Sequence, residues 1–534
     1  VSSATSRFDL LRRHRRWVLA LAVLALLTQL AVAMVTTAVE QTPTIDEPVY
    51  AGTAVVYLEQ HSLRYNAEHP PLGKLVIASG LAFADVHLDP AFAGDQTQLG
   101  REVLYESGQD PWRLMLLARL PVIVLTLLFG LVVFAFATDL AGAVGGVAAL
   151  ALYAFSPDII AHGSLATLDV PAAGFVLTSV WLVWRARARP TLYLPLAGLA
   201  LGAALATKMS TLAAVPVLLL LGVLSVWRCR RLLWLVAAAA VIAVGVVWLS
   251  YLAVDPRLRW ETPAGLPPAQ GLRALVGWLP FPQPYRDGMR LQFGLEDQVW
   301  SGFLFGRLYT GSLWYYLPAA LLVKTPLGAL ALWIAGAVVL LAVRRLRPAA
   351  QYVLLPTAVL LAAAMTGHRD LGARYAIFVP MFLAVAAAGL VVVRRRWAHA
   401  ALAVLVAFAA VSSLRTFPYY LPYSNEAFGG PADTHLHLHD SNVDWGQDLG
   451  RLGDRLRQRY PGERIWLVYK GSGVPSAYGI AAADPFAVPP EDMRGLLVVS
   501  DSAAAKADAR LAGLLGSSTP VDEVGHSITI YRRS

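Results

Sequence analysis

Arg12-Arg13-His14-Arg15-Arg16-Trp17-Val18-Leu19-Ala20-Leu21-Ala22-Val23-Leu24-Ala25-Leu26-Leu27 sets a dense basic cluster directly against an apolar run that continues to residue 39. A bilayer core of about 30 Å takes about 20 apolar residues as a helix. The run meets that length, and its basic flank has the form of a cytoplasmic anchor. The same pairing of apolar run and arginine cluster recurs along the chain. Apolar runs lie at 17–39, 112–137, 140–156, 168–184, 191–207, 211–227, 232–252, 314–343, 352–367, 375–393 and 398–414. Arginines follow the fourth (Arg185, Arg187, Arg189), the sixth (Arg228, Arg230, Arg231), the eighth (Arg344, Arg345, Arg347) and the tenth (Arg394, Arg395, Arg396). With eleven spans all these clusters fall on one side. The expectation is an α-helical polytopic membrane protein with about 11 transmembrane helices, the N-terminus cytoplasmic and the C-terminus outside.

Composition agrees. Of 534 residues 57% are hydrophobic and 15% charged, against about 25% charged in an ordinary soluble domain. That excludes a cytosolic globular enzyme, a disordered chain and a coiled coil. A single cysteine, Cys229, excludes an internal disulfide framework and a cysteine-based zinc site. The net charge of +9 is mostly the loop arginines, so no nucleic-acid partner is expected. The start of the chain imitates a signal peptide, with Ala31-Val32-Ala33 after the apolar run, but the run exceeds the usual 7–15 residues and an uncleaved helix is expected.

Three segments are too polar to span: a first outside loop at 40–111, a second at 253–313, and a C-terminal region at 415–534. The transmembrane module is thus 1–414. The C-terminal region has a helix-like stretch at 445–459 and strand-like stretches at 465–469, 496–500 and 527–531, as in a small extracytoplasmic α/β domain. No internal repeat is evident.

The few remaining charges gather on the outer side. Thr44-Ile45-Asp46-Glu47-Pro48 follows the first span, and Asn66-Ala67-Glu68-His69-Pro70-Pro71-Leu72-Gly73-Lys74 opens an apolar stretch suited to the membrane surface. Asp169 begins the fourth span, and Arg374-Tyr375 begins the tenth. Only five of 44 basic residues are lysines, and Lys74, Lys208 and Lys324 all map to the outer rim or outer half of the membrane part. An ammonium at membrane depth faces a cavity or a partner. Each charge also has a plainer reading: Asp46-Glu47 as a helix start, Lys74 and Lys324 as snorkelling side chains, Asp169 as a cap, Arg374 as a headgroup contact. His435, His437 and His439 alternate as some metal ligands do, although a loop or strand edge is the commoner explanation. No P-loop, GxGxxG or GxSxG pattern is present.

At these residues the chain resembles the polyprenyl-phosphate-dependent glycosyltransferases of the GT-C class, the superfamily of the protein O-mannosyltransferases and the lipid A aminoarabinose transferases. Asp46-Glu47 and His69-Pro70-Pro71-Leu72-Gly73-Lys74 carry the likeness. So do Gly311-Ser312-Leu313-Trp314-Tyr315-Tyr316-Leu317-Pro318, Lys324-Thr325-Pro326-Leu327, Gly372-Ala373-Arg374-Tyr375 and Asp440-Ser441-Asn442-Val443-Asp444-Trp445-Gly446-Gln447-Asp448. Aminoarabinose transferases have a lysine directly before the Pro-Pro pair where this chain has His69, which tilts the likeness towards the O-mannosyltransferase branch.

The resemblance implies an inverting sugar transfer from a polyprenyl-phosphate lipid to an acceptor hydroxyl, on a protein or a glycolipid, at the outer face of the plasma (inner) membrane. It implies Asp46 as base, with Glu47 beside it in the catalytic pair. Lys74, Lys324 and Arg374 are implied at the leaving phosphate, with His69 as a donor. Glu47, Glu68 and Asp169 are implied to orient these groups, meet the acceptor or hold a divalent cation, and Tyr375 accompanies them. The family as a whole does not require a metal. In the C-terminal region Trp445, Trp466 and Tyr469 read as core aromatics ahead of sugar-stacking ones, and Asp444 and Asp448 as caps. A transporter is the competing class, but its charges would sit at the midplane of repeated halves. A non-catalytic scaffold leaves the gathered acids and bases unexplained.

Overall fold

The computed structural model describes the backbone of residues 2–533 and the side chains from Arg16 onward, Leu272 excepted. The side chains of Arg12, Arg13 and Arg15 lie outside the described residues. Among those described, six helices are long and apolar enough to cross a membrane, or seven if one bent pair counts as a single span. The protein is a multi-pass, mostly helical membrane protein. All eleven apolar runs are helical, including Asp169–Ala186, Arg347–Ala364 and Phe378–Ala387, which fall outside those six.

Three runs differ from their expected form. The second and third merge into Pro111–Ala154, 44 residues with a break at Gly142 (φ 76°, ψ 178°). At 1.5 Å per residue a straight helix of that length would run about 66 Å, twice a bilayer core. The break at Gly142 divides it, since that backbone conformation suits a residue without Cβ. Asp139 beside the break accepts from Trp181 Nε1 at 2.9 Å and pairs with Arg185 at 3.0 Å. The eighth run is not one long helix. It is Tyr316–Lys324 and Leu327–Ala342, bent by 120° at Thr325-Pro326, where proline withdraws a backbone donor.

The first loop, residues 41–110, is structured. Helices Glu47–Glu59, Pro71–Leu81 and Gln96–Arg101 fill it, the first two with proline in the opening turn. Pro71–Leu81 lies so close to Pro111–Ala154 that a Cβ on Gly80 would sit 1.9 Å from the Leu117 carbonyl oxygen. In the second loop, helix Gln283–Glu296 precedes the hairpin of β1 (Ser301–Leu304) and β2 (Arg307–Thr310).

The C-terminal region combines short helices with one sheet. Helix Leu449–Arg459 packs on a sheet of β3 (Ile465–Val468), β4 (Ala482–Ala483), β5 (Gly495–Ser500), β6 (Thr519–Val524) and β7 (Ile528–Arg533). Strand order is β4-β3-β5-β7-β6, parallel across β4-β3-β5 and antiparallel beyond. Central β5 is buried on both faces: Leu496 and Val498 join Leu449 and Ile465, while Leu497 and Val499 join Trp466 and Leu511. That explains its unbroken apolar run. The sheet is clamped to the membrane part where the first span ends. Thr42 N–H donates to Gln447 O at 2.9 Å and Ile45 N–H to Trp445 O at 3.0 Å. Ser472 Oγ donates to Ile45 O at 2.8 Å, and Arg451 bridges to Glu40 at 2.7 Å.

Candidate active site

The clamp delivers Asp46 to a cluster of charges drawn from elements far apart in sequence. Arg374 Nη1 donates to Asp46 Oδ2 at 2.8 Å and lies 3.6 Å from Asp169 Oδ2. Lys208 Nζ donates to the other Asp169 oxygen at 2.5 Å. Two acids and two bases therefore alternate as Asp46, Arg374, Asp169, Lys208. Tyr375 presents its ring to both cations, 5.1 Å from the Arg374 guanidinium and 5.4 Å from the Lys208 ammonium. Trp445 lies under Arg374 at 4.2 Å. Asp46 is the most open of the four, its side chain 28% exposed.

His69 stands beside this row. Its ring meets Tyr50 edge-on at 5.8 Å. Burial, with Lys208 and Lys74 nearby, holds the imidazole well below its usual range, so it is neutral at neutral pH. His69 Nδ1, His162 Nδ1 and Arg374 Nε are buried and bond to no group among the described residues. Three such atoms lie around one cluster, where each leaves a buried polar group to be satisfied.

Glu68 lies at the edge. Its Oε1 accepts from Asn66 and Gln96, each at 2.9 Å. Gln292 of the second loop donates to its backbone oxygen at 3.0 Å. The second loop reaches over in the same way at Arg369, which pairs with Glu296 at 2.6 Å and with Gln292 at 2.9 Å.

Three expected site residues are placed differently. Glu47 is fully buried against Arg119, with bonds of 2.7 Å to Nε and to Nη2. Burial alone would raise its carboxyl. The Arg119 guanidinium and the Thr44 and Ala166 amides outweigh that and hold it below the usual carboxylate range. Lys74 is buried with every N–H occupied: Asn66 O at 2.7 Å, Asn66 Oδ1 at 3.2 Å and His69 O at 2.8 Å. Lys324 donates to Leu421 O at 2.5 Å and Asn442 O at 2.9 Å, with Asp158 at 3.7 Å. Neither snorkelling nor an open face describes these lysines. Backbone carbonyls take most of their hydrogen bonds, with Asn66 Oδ1 also on Lys74 and the Asp158 carboxylate near Lys324.

The C-terminal carboxylates depart from the cap reading as well. Asp448 occupies the N-cap position of Leu449–Arg459 without a side-chain capping bond; it pairs with Arg451 and accepts from Ser527 at 2.7 Å. Asp444 accepts from Ser500 at 2.6 Å and from Ser502 N at 3.2 Å, and burial pushes it up to about 7. Asp440 is paired with Lys470.

Among the described residues no group of three or more His, Cys, Asp or Glu side chains is placed to hold a metal ion. Asp169 is engaged by two cations and Glu68 by two amides. His435 and His437 lie in the helical turn Thr434–His437, and His437 and His439 pack on Phe305 and Phe303.

The sequence reading missed Arg119, Asp158 and His162, and it placed Lys208 only on the rim. Arg119 had a visible signal, a lone arginine inside the apolar run 112–137. His162 had none, since its neighbour Trp445 is remote in sequence.

Residues 22–256 match the family model described as dolichyl-phosphate-mannose-protein mannosyltransferase. That stretch carries Asp46, Glu68, His69, Asp169 and Lys208. Among solved structures, ArnT from Cupriavidus metallidurans in the apo state is similar over 97% of this chain and 98% of its own, at 17% identity and a TM-score of 0.50. The same protein bound to undecaprenyl phosphate aligns over 95% and 97%, at 14% identity and a TM-score of 0.47. The S. cerevisiae Pmt1-Pmt2 complex bound to the sugar donor aligns over 44% of this chain and 33% of that one, at 19% identity and a TM-score of 0.32. No curated protein matches the chain. The ArnT likeness establishes a GT-C-like fold. With the family match, it indicates a membrane glycosyltransferase that resembles the polyprenyl-phosphate-dependent enzymes of the GT-C superfamily.

Proposed function

We propose that the protein moves a sugar, mannose being the first candidate, from a polyprenyl phosphate to an acceptor hydroxyl at the outer face of the inner membrane, with inversion. The acceptor oxygen attacks the anomeric carbon opposite the phosphate. Its proton passes to Asp46, the bond from sugar to phosphate oxygen breaks, and polyprenyl phosphate departs. Arg374 and Lys208 face the departing charge, since a phosphate needs cations where its negative charge grows. His69 is a neutral donor beside them. Glu68, Asp169 and Tyr375 orient the cations and the acceptor, while Glu47, Lys74 and Lys324 position the loops that carry the others. Eleven crossings, an inside N-terminus and an outside C-terminal domain complete the reading, supported by the arginine-flanked loops.

One observation carries the proposal: Arg374 bonds to the half-open Asp46 yet keeps a buried Nε–H without an acceptor among the described residues. Base and anion receptor thus share one place. A second reading, modification of a glycolipid, is favoured by the likeness to ArnT along the whole chain. Purified protein offered polyprenyl-phosphate sugars with peptide and with lipid acceptors separates the two by which product forms. Absence of any transfer product removes both and favours a transporter.

Lys208→Ala and Arg374→Ala should each lower kcat/KM for the donor by about tenfold to a hundredfold, as expected for losing one charged hydrogen bond. Unchanged donor affinity and turnover in either variant would remove that residue from the phosphate site.

A further inference from the structure

The C-terminal segment that ends the clamp reaches both members of the Asp46–Arg374 pair. Its Trp445 does so with a single residue. The Trp445 carbonyl accepts from Ile45 N–H at 3.0 Å, one residue before Asp46. Its ring lies 4.2 Å from the Arg374 guanidinium carbon, and the His162 ring stands 6.2 Å away. The indole is almost completely buried, so it is a fixed surface and not a mobile one. A guanidinium on an aromatic face is attracted by the ring quadrupole and is restrained in plane.

The segment around Trp445 is itself held rigidly from both sides. Asn442 accepts from Ala373 N–H at 2.9 Å, directly before Arg374, and donates to Tyr316 OH at 2.9 Å. Lys324 donates to the Asn442 oxygen at 2.9 Å. Gln447 Oε1 accepts from Trp445 N–H at 2.7 Å, and Tyr469 OH donates to Gly446 O at 2.8 Å. Each of these bonds spends a buried polar group on the placement of one loop.

We propose that Trp445 is a positioning residue for Arg374, and that residues 440–448 make the C-terminal domain an integral wall of the catalytic site. Arg374 needs such a support. Nη1 is aimed at Asp46, and the buried Nε–H must point at the ligand at the same time. A guanidinium free to rotate would satisfy one and lose the other. Misplacement of a reacting or binding group by about 1 Å can cost about 100-fold.

The inference rests on the proposed role of Arg374 at the donor phosphate. Its test uses the full-length protein in detergent with undecaprenyl-phosphate mannose for turnover and undecaprenyl phosphate for binding. Trp445→Phe keeps an aromatic face, and Trp445→Leu fills much of the space without one. Both should lower the thermal midpoint, as a smaller side chain in a packed site does. Only Trp445→Leu should lower kcat/KM and undecaprenyl-phosphate affinity by about tenfold or more, with Trp445→Phe within about threefold of wild type. In an Arg374→Ala background Trp445→Leu should cost nothing further, because coupled residues are not additive. Equal losses in the Phe and Leu variants, or losses that multiply with Arg374→Ala, overturn the inference and leave the proposed function standing. A wild type that binds undecaprenyl phosphate but transfers no sugar refutes the proposed function, and the binding series still decides the inference. A wild type that binds none overturns both.

Discussion

Asp46→Asn should reduce kcat by about 10²- to 10⁴-fold, the range a positioned general base contributes, while the donor KM stays the same or falls. The direction of the KM change follows from the cluster. Arg374 Nη1 now donates to Asp46 at 2.8 Å and lies 3.6 Å from Asp169. The amide keeps the volume and one acceptor oxygen but removes a negative charge from the guanidinium. Arg374 is then less compensated and should grip a phosphate more firmly. A lower kcat with an equal or lower KM is the signature of a group needed in the transition state and not for ground-state binding. The side chain is 28% exposed, so the neutral amide is solvated and the fold should hold. Steady-state kinetics with undecaprenyl-phosphate mannose, alongside a thermal midpoint, checks both halves. Turnover within a few-fold of wild type rules Asp46 out as the base. A raised KM with intact kcat would make it a binding residue instead.

The parts of this molecule that could be read in advance are those governed by local rules. Apolar runs located the long helices of the membrane part, because lipid demands length over short stretches, but they did not locate the loop helices Glu47–Glu59, Gln96–Arg101 and Gln283–Glu296. The short apolar runs at 465–469 and 496–500, bounded by Gly and Pro, placed β3 and β5 by a local rule of the same kind. Asp46, Asp169 and Arg374 were recognisable as polar groups at helix starts on one rim, and they do meet. The lysines were harder, since what decides a lysine's role is its acceptors. Those of Lys324 are the carbonyls of Leu421 and Asn442, about 100 residues away. A backbone carbonyl leaves no trace in composition or pattern. The short β4 and the bulged edge strand β6 were missed because neither has an apolar alternation of its own. Asp444-Trp445 looked like the start of a helix, yet the helix begins at Leu449. The segment 440–448 instead follows tertiary partners on both sides of it, and those outweigh local propensity.

The second large effect is expected at the partner of Glu47, the residue next to Asp46. Arg119→Met should destabilise the protein by about 3–5 kcal/mol, the cost of leaving a buried charge without its partner. Both side chains of the Glu47–Arg119 pair are 0% exposed, so water cannot replace what is lost. Arg119 uses all its donors: Nε and Nη2 on Glu47, Nη1 on Ala38 O at 2.6 Å and Gln41 O at 2.8 Å, and Nη2 also on Thr42 O at 3.1 Å. These carbonyls belong to the end of the first span, where a helix has no acceptor-satisfying turn of its own. Removing the guanidinium strands a carboxylate and three carbonyls together. The double variant Glu47→Gln/Arg119→Met should therefore be more stable than Arg119→Met alone, because the orphaned charge is gone even though the carbonyls remain. That ordering separates an ion-pair effect from simple loss of packing, which would make the double variant the worse of the two. Thermal unfolding in one detergent, followed for wild type, Arg119→Met and the double variant, reads it directly. A midpoint for Arg119→Met within a degree or two of wild type would mean that the pair does not hold this corner. Since Thr42 and Ile45 are also the residues that clamp the C-terminal sheet, the same substitution should cost turnover beyond its effect on folding, by releasing the short stretch of chain that aims Asp46 at Arg374.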